Sequence, residues 1–255
     1  MKLNWTSPSG TSKVTYKDML RQPHLLIAGA TGSGKSVVIN ALMYTALYKF
    51  PGSVNDNCVQ FILIDPKRVE LSMYKDLPHT IRYASEPQDM VEALRYAMHL
   101  CDLRYQQMQK QGLRKWPGGV CYVVIDEFAD LMTTNRRAVM PLIQRLAQIG
   151  RAASVRLWVC TQTPIAKVLP TEIKCNFDAR LGLRTRSAQD SRNIIGKSGC
   201  EQFPRYGVGY YMTPEGEQAY NLPMYSDKEL QERINFWMRQ CPRRFLRNRK
   251  KWTIK

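Results

Sequence analysis

Two short stretches hold residue types at spacings that do chemistry. Gly29-Ala30-Thr31-Gly32-Ser33-Gly34-Lys35-Ser36 has the form G-x-x-x-x-G-K-S, a phosphate-binding loop when a strand precedes it and a helix follows. Gly29, Gly32 and Gly34 let the backbone turn tightly and aim N–H groups at phosphate oxygens. With Ala30, Thr31 and Ser33 between them, they make up the expected nucleotide-binding segment. Lys35 brings positive charge to the outer phosphates, and Ser36 brings a hydroxyl for Mg²⁺. The second stretch is an apolar run, Val120 to Ile125, that ends in Asp126-Glu127, about 90 residues later. Asp126 suits Mg²⁺ through its water shell, and Glu127 suits the orientation and polarisation of an attacking water. The second acid argues for hydrolysis by water over transfer to a bound acceptor. ATP or GTP with Mg²⁺ is the expected ligand pair.

The surrounding pattern supplies elements to position these groups. His24 to Ala28 reads as a strand, and residues 35–49 read as a helix stopped by Pro51-Gly52. Val59 to Asp65 reads as a strand buried on both faces. Asp65 has two readings, as an organiser of the site or as a turn-forming Asp-Pro. Ser85-Glu86-Pro87-Gln88 resembles a capping box. It opens a helix whose Met90, Leu94, Ala97, Cys101, Tyr105 and Met108 form a core-facing stripe closed by Gly112. A helix over Asn135–Ile149 ends at Gly150-Arg151-Ala152-Ala153. Val155 to Gln162 reads as a strand, and Gln162 either senses the terminal phosphate or makes a plain strand-end hydrogen bond. A loop over 163–178 carries Lys167 and Lys174, and Ala179 to Leu183 reads as a further strand. Arg184, Arg186, Arg192 and Lys197 then cluster in what reads as a basic loop. Such charge suits phosphate contacts to a nucleic-acid backbone or is solvated surface. Tyr206 to Leu222 reads as a hairpin and Asp227 to Met238 as a last helix. Arg239 to Lys255 holds eight basic residues and no acid, a tail whose charge could reach nucleic acid.

Composition bounds the answer. The chain has 255 residues, 44% of them hydrophobic, enough for one large α/β domain or a domain with an appendage. No apolar run approaches the roughly 20 residues of a membrane span, and the first residues lack the apolar core of a signal peptide. Lys and Arg number 38 against 21 acids, a net +17, which favours a polyanionic partner, either nucleic acid or an anionic membrane surface, with nucleic acid ahead. The seven cysteines are scattered and include no C-x-x-C. That suits buried thiols in a reducing cytoplasm better than disulfides or zinc.

From about Pro23 to Gln240 the chain resembles the motor domain of the FtsK/SpoIIIE family of double-stranded DNA translocases. Several strings carry the resemblance. Pro23-His24-Leu25-Leu26-Ile27-Ala28-Gly29 leads into Lys35-Ser36, and Ile64-Asp65-Pro66-Lys67 stands with Glu70-Leu71-Ser72. Asp126-Glu127-Phe128-Ala129-Asp130-Leu131-Met132 is the most specific. The rest are Arg145-Leu146-Ala147-Gln148 with Gly150-Arg151-Ala152-Ala153, Thr161-Gln162-x-Pro164, and Asp190-Ser191-Arg192. The resemblance implies a RecA-like P-loop α/β fold, a central, mostly parallel sheet flanked by helices. It implies a homo-oligomeric ring, usually a hexamer, with double-stranded DNA in the pore and ATP between subunits. Arg151 then matches the family's arginine finger, and Lys174 and Arg192 match positions that face DNA. Two DNA-side positions depart from the family, Thr163 in place of Arg and Ala188 in place of Lys, leaving Arg184 and Arg186 to supply charge there. The family's membrane spans, linker and C-terminal winged helix are not in this sequence. The expectation is a bare cytoplasmic motor of mobile-element or phage type: a lead-in over 1–22, the motor over 23–240 and a basic tail over 241–255. Conjugative coupling proteins and secretion ATPases use related motors and are the alternatives.

Overall fold

The computed structural model describes residues 16–49, 58–222 and 225–240. Expectations for 1–15, for Pro51-Gly52 and for the tail over 241–255 lie outside the described residues. The strands are β1 (His24–Ala28), β2 (Gln60–Ile64), β3 (Thr80–Ala84), β4 (Cys121–Ile125), β5 (Val155–Thr161), β6 (Ala179–Gly182), β7 (Val208–Thr213) and β8 (Gly216–Asn221). The helices are α1 (Tyr16–Met19), α2 (Lys35–Lys49), α3 (Pro87–Lys110), α4 (Phe128–Ile149), α5 (Thr171–Lys174), α6 (Ala188–Ile195) and α7 (Asp227–Gln240).

The described strands form one eight-stranded sheet in the order β3-β2-β4-β5-β1-β6-β7-β8. β1 to β6 run parallel, and β7 and β8 close one edge as an antiparallel hairpin. Alternation along each strand divides its side chains between two cores. Leu25 and Ile27, Phe61 and Leu63, and Tyr122 and Val124 join α1, α2 and α7 on one face. Leu26, Ile62, Ile64, Val123 and Ile125 join α3 and α4 on the other. β1 and β4 are therefore buried along their whole length, as expected of parallel strands covered on both faces. β1 starts the chain's path yet lies inside the sheet, between β5 and β6. The carboxyl ends of the strands around such a reversal are where open α/β sheets bind ligands.

Four local expectations change. The lead-in, which its polar Ser, Thr and Lys content suggests is an extended segment, is instead helical over Tyr16–Met19, with Tyr16, Met19 and Leu20 buried. Tyr122 and Arg156 both donate to the Leu20 carbonyl. The capping box is not made, since Glu86 is the N-cap with no side-chain bond and Pro87 begins the helix. α4 begins at Phe128, seven residues before its expected start, because Glu127 itself caps it through the Ala129 N–H. Asn135 marks a break inside α4, with non-helical φ −135° and ψ 28°, and its side chain donates to the Pro87 carbonyl. The basic stretch after β6 is not all loop, because Ser187 caps α6 by accepting from Asp190 N–H and Gly196 ends it at φ +79°. β3 went unseen because Thr80-Ile81-Arg82-Tyr83-Ala84 is half-buried edge strand without an apolar run.

Candidate nucleotide-binding and hydrolysis site

The expected phosphate loop joins β1 to α2 at the carboxyl end of the parallel strands. Gly32 and Gly34 take φ of +71° and +96°, which a side chain would strain. Gly29 is required by space, because a Cβ there would lie 2.7 Å from the Leu183 Cβ. Its neighbours hold the loop open: Ala30 N–H donates to the Arg184 carbonyl at 2.8 Å and Gly29 N–H to the Thr161 carbonyl at 3.3 Å. Lys35 is buried at the first turn of α2, and its ammonium donates to the carbonyls of Gly29 and Ala30 at 2.8 and 3.0 Å. Burial lowers its pKa, and the nearby Glu127 charge works against that. Ser36 follows, half-buried, at the start of α2.

β4 brings Asp126 and Glu127 to the same end of the sheet, both buried. Asp126 is pushed up to about 7, first by burial and then by the charges of Asp65, Glu70 and Glu127. Carboxylates crowded in this way are stabilised by a cation, so the donor set of Ser36 and Asp126 fits Mg²⁺. Glu127 is the most connected side chain of the site. Its Oε1 accepts from Thr161 Oγ1 at 2.9 Å and from Gln162 N–H at 3.1 Å, and its Oε2 faces Lys67 Nζ at 3.3 Å. Gln162 joins the two motifs, because its Oε1 accepts from Thr31 Oγ1 at 2.7 Å while its own N–H binds Glu127. Asp65 serves the turn that follows it: its buried Oδ2 accepts from the Leu71 N–H at 3.1 Å. That turn carries Lys67 to Glu127.

Arg151 lies elsewhere. It precedes β5, at the amino end of the strands, whereas the phosphate loop and Glu127 follow the carboxyl ends of β1 and β4. Seven residues of β5 separate the ends, roughly 20 Å of strand. Buried Arg104 fixes the backbone of this turn by donating to the carbonyls of Ala153 and Ser154 at 2.9 and 3.1 Å. Trp116 N–H donates to Ala152 and Tyr105 to Ile149. Gly150 is held so close that a Cβ would stand 2.2 Å from the Val155 carbonyl oxygen. The Arg151 side chain is exposed on the wall of a cavity of about 970 Å³, shared with Lys115, Arg156 and the Pro214-Glu215 hairpin tip.

The basic candidates divide. Lys174 on α5 reaches the Asn193 carbonyl of α6 at 3.4 Å, which sets it near exposed Arg192. Lys167 is exposed, its carbonyl held by Arg136. Arg184 and Arg186 instead run beside the phosphate loop, and the Arg186 guanidinium comes within 3.5 Å of Thr31 Oγ1. Sequence reasoning missed three residues that touch the site. Thr161 and Lys67 stood next to recognised positions. Arg205 gave no signal, yet its guanidinium lies against Gly32, 3.3 Å from where a Cβ would be.

Among the described residues no helix is long and apolar enough to cross a membrane. Their six cysteines are free, and all but Cys175 are buried.

Comparison with known proteins agrees with this geometry. The FtsK/SpoIIIE family pattern matches residues 6–119. The DNA translocase FtsK of Caulobacter vibrioides is 34% identical over 262 aligned positions, covering 86% of this chain and 32% of that one. The DNA translocase FtsK of Chlorobaculum tepidum is 40% identical over 212, covering 75% and 26%. The chain thus spans about a third of the length of the curated relatives it matches. In fold it is similar to the pCW3 conjugation coupling protein TcpA, with TM-score 0.73, 22% identity and coverage of 86% of this chain and 66% of that one. It is also similar to the cytoplasmic domain of the Thermomonospora curvata type VII secretion ATPase EccC, with TM-score 0.67, 23% identity and coverage of 80% and 26%. A phosphate loop wired to a buried glutamate, on a sheet of this order, with relatives of this similarity, makes the chain a P-loop α/β protein that is similar over most of its length to the FtsK/SpoIIIE family.

Proposed function

We propose that the chain is an ATPase motor that works on double-stranded DNA as a ring of identical subunits, a hexamer by resemblance to its family, in the cytoplasm. One observation carries the reading. The phosphate loop and Arg151 occupy opposite ends of one sheet, so a complete site needs two copies. A ring that sets the carboxyl-end face of one subunit against the amino-end face of the next meets this need at every interface.

Within one subunit the ATP phosphates lie along Gly29–Ser36, and Lys35 turns from the Gly29 and Ala30 carbonyls to the outer phosphates. When bound through Ser36 and Asp126, Mg²⁺ neutralises phosphoryl oxygens. Glu127 accepts the proton of the attacking water, held in position by Thr161, the Gln162 N–H and Lys67. The neighbour's Arg151 stabilises charge that develops on the transferred phosphoryl group. Gln162 is bonded to both Thr31 and Glu127, so it feels loss of the terminal phosphate from both sides. It opens the loop over 163–178, which carries Lys167 and Lys174, and these with Arg192 and the 184–186 segment are the proposed DNA contacts. The relatives named DNA translocases and the net charge of +17 support DNA as the partner.

The test is the ATPase rate with and without double-stranded DNA across a salt series. Stimulation that fades steeply as salt rises is the expected result, because phosphate contacts release counterions. Hydrolysis that no nucleic acid stimulates at any salt would leave the ATPase standing and remove DNA as its track, which favours a secretion-type motor.

A further inference from the structure

Two of the proposed DNA contacts, Lys174 and Arg192, stand on different helices, α5 and α6, with β6 between them in the chain. α5 has only four residues, too few to be stable without outside support. One half-buried side chain of β6 bonds to both helices. Arg180 donates from Nε to the Phe177 carbonyl at 2.9 Å, from Nη2 to the Lys174 carbonyl at 2.9 Å and from Nη1 to the Ile194 carbonyl at 3.2 Å. Lys174 ends α5, Phe177 lies just past it, and Ile194 is in the last turn of α6. Carbonyls at such ends run short of helical donors and favour a cation. A second set of bonds joins the same two helices. Lys174 Nζ reaches the Asn193 carbonyl at 3.4 Å, and the Gln189 amide donates to Asn193 Oδ1 at 3.2 Å. Gln189 Oε1 accepts from Nε and Nη2 of Arg192, each at 3.3 Å. β6 is also tied to the phosphate loop. Arg180 pairs with Leu26 of β1, the Leu183 N–H donates to the Ala28 carbonyl, and the Ala30 N–H donates to the Arg184 carbonyl.

We propose that Arg180 is a positioning residue that joins α5 and α6 into one basic unit and sets the spacing of Lys174 and Arg192. The role rests on DNA as the partner proposed above. Arg180 itself touches neither nucleotide nor DNA. It holds the two cations at one separation, so that both meet backbone phosphates together, and neither helix has to be ordered separately on binding. The chemistry requires arginine. A guanidinium presents five donors in a planar fork, so one side chain serves three carbonyls from two helices. A lysine ammonium is a compact point charge on a flexible stem, which keeps the charge and loses the clamp. Because β6 is four residues long and bonded to β1, the unit that carries Lys174 and Arg192 is mounted directly on the strand that leads into the phosphate loop.

Hydrogen exchange of the whole chain, read by mass spectrometry, together with ATPase rates with and without double-stranded DNA, tests this. In Arg180→Lys the amides of residues 171–177 and 188–196 should both exchange about tenfold faster, since several hydrogen bonds are lost at once, while β1 and β4 exchange as in the wild type. Its rate without DNA should stay within about twofold of the wild type. Its stimulation by DNA should fall about fivefold or more, with a shallower salt dependence as phosphate contacts are lost. Arg192→Gln should lose stimulation with exchange unchanged, which separates a contact from the residue that positions it. If exchange in either segment of Arg180→Lys stays as in the wild type, the clamp is wrong. If the rates with and without DNA fall in step, Arg180 only stabilises the fold and the positioning role is overturned. A wild type that no DNA stimulates removes the DNA reading and the positioning role with it, while the exchange data still decide whether Arg180 joins α5 to α6.

Discussion

The two ends of the parallel strands are built to opposite plans. At the carboxyl end, side chains bond to side chains: Thr31 to Gln162, Thr161 and Lys67 to Glu127. Lys35 is held there by the carbonyls of Gly29 and Ala30. At the amino end the backbone is fixed by Arg104, Trp116 and Tyr105, yet the exposed Arg151 lines an open cavity, and no hydrogen bond or ion pair of its side chain is found among the described residues. In the ring proposed above, the amino end of one subunit would bring Arg151 to the carboxyl-end site of the next. The difference teaches that a complete set of sequence motifs within one chain need not make a complete site.

Breaking the amino end should cost most. Arg151→Ala should lower ATP hydrolysis by about 10³-fold or more, the usual worth of an arginine finger, with nucleotide affinity unchanged by calorimetry. Mixed rings of Arg151→Ala and Glu127→Ala subunits should recover part of the activity, since some interfaces then pair two intact halves; no recovery at any ratio would place Arg151 outside its neighbour's site. Glu127→Gln comes next, with a loss on the order of 10²- to 10⁴-fold in turnover and ATP still bound, read by single-turnover kinetics.

A smaller effect sharpens the contrast through pH. His24 begins β1 and packs against the glycine before Arg151, its Cε1 3.3 Å from where a Gly150 Cβ would lie. Its Nδ1 accepts from the Leu157 N–H at 3.0 Å. Burial pushes its pKa down to about 4, from 6.5, and the Arg156 and Arg151 charges add to that. The neutral ring is the folded form, so its contribution is complete above pH 6.5. It is lost as pH falls from 6.5 toward 4, by up to about 3 kcal/mol. His24→Asn keeps an acceptor for Leu157 and should show a shallower loss of denaturant stability over that range. The smallest effect expected is for Lys67→Met. It should lower turnover by about tenfold, since a charge-assisted bond of this kind is worth about 1.5 kcal/mol, with ATP affinity preserved. Full loss of activity would mean that Lys67 acts on the substrate itself.

Much of this was legible in the chain. Gly29–Ser36, the Asp126-Glu127 pair and the strands that carry them are consecutive patterns, and consecutive patterns survive folding. The strand-end position of Gln162 was legible too, but its two bonds were not, since they reach residues 131 and 35 positions away. Arg186 illustrates the limit: its charge pointed to DNA, and only the β1–β6 pairing brings it beside Thr31. Arg205 is further still from the loop it touches, and nothing in its neighbours marks it. The early start of α4 was obscured because Asp126-Glu127 invited reading as the close of a strand, when Glu127 is also the cap of the next helix.

The break at Asn135 gains meaning from what α4 joins. Glu127 caps one end of this helix, and Arg151 lies just past the other. An unbroken bar of 22 residues, roughly 33 Å long, would swing the finger by the same angle as the water-holding glutamate whenever the subunit tilted. Non-helical backbone about a third of the way along divides the bar into two levers. In the ring proposed above, the short arm would turn with the subunit's own pocket and the long arm with its neighbour's, so adjacent pockets would be free to stand at different points of the cycle.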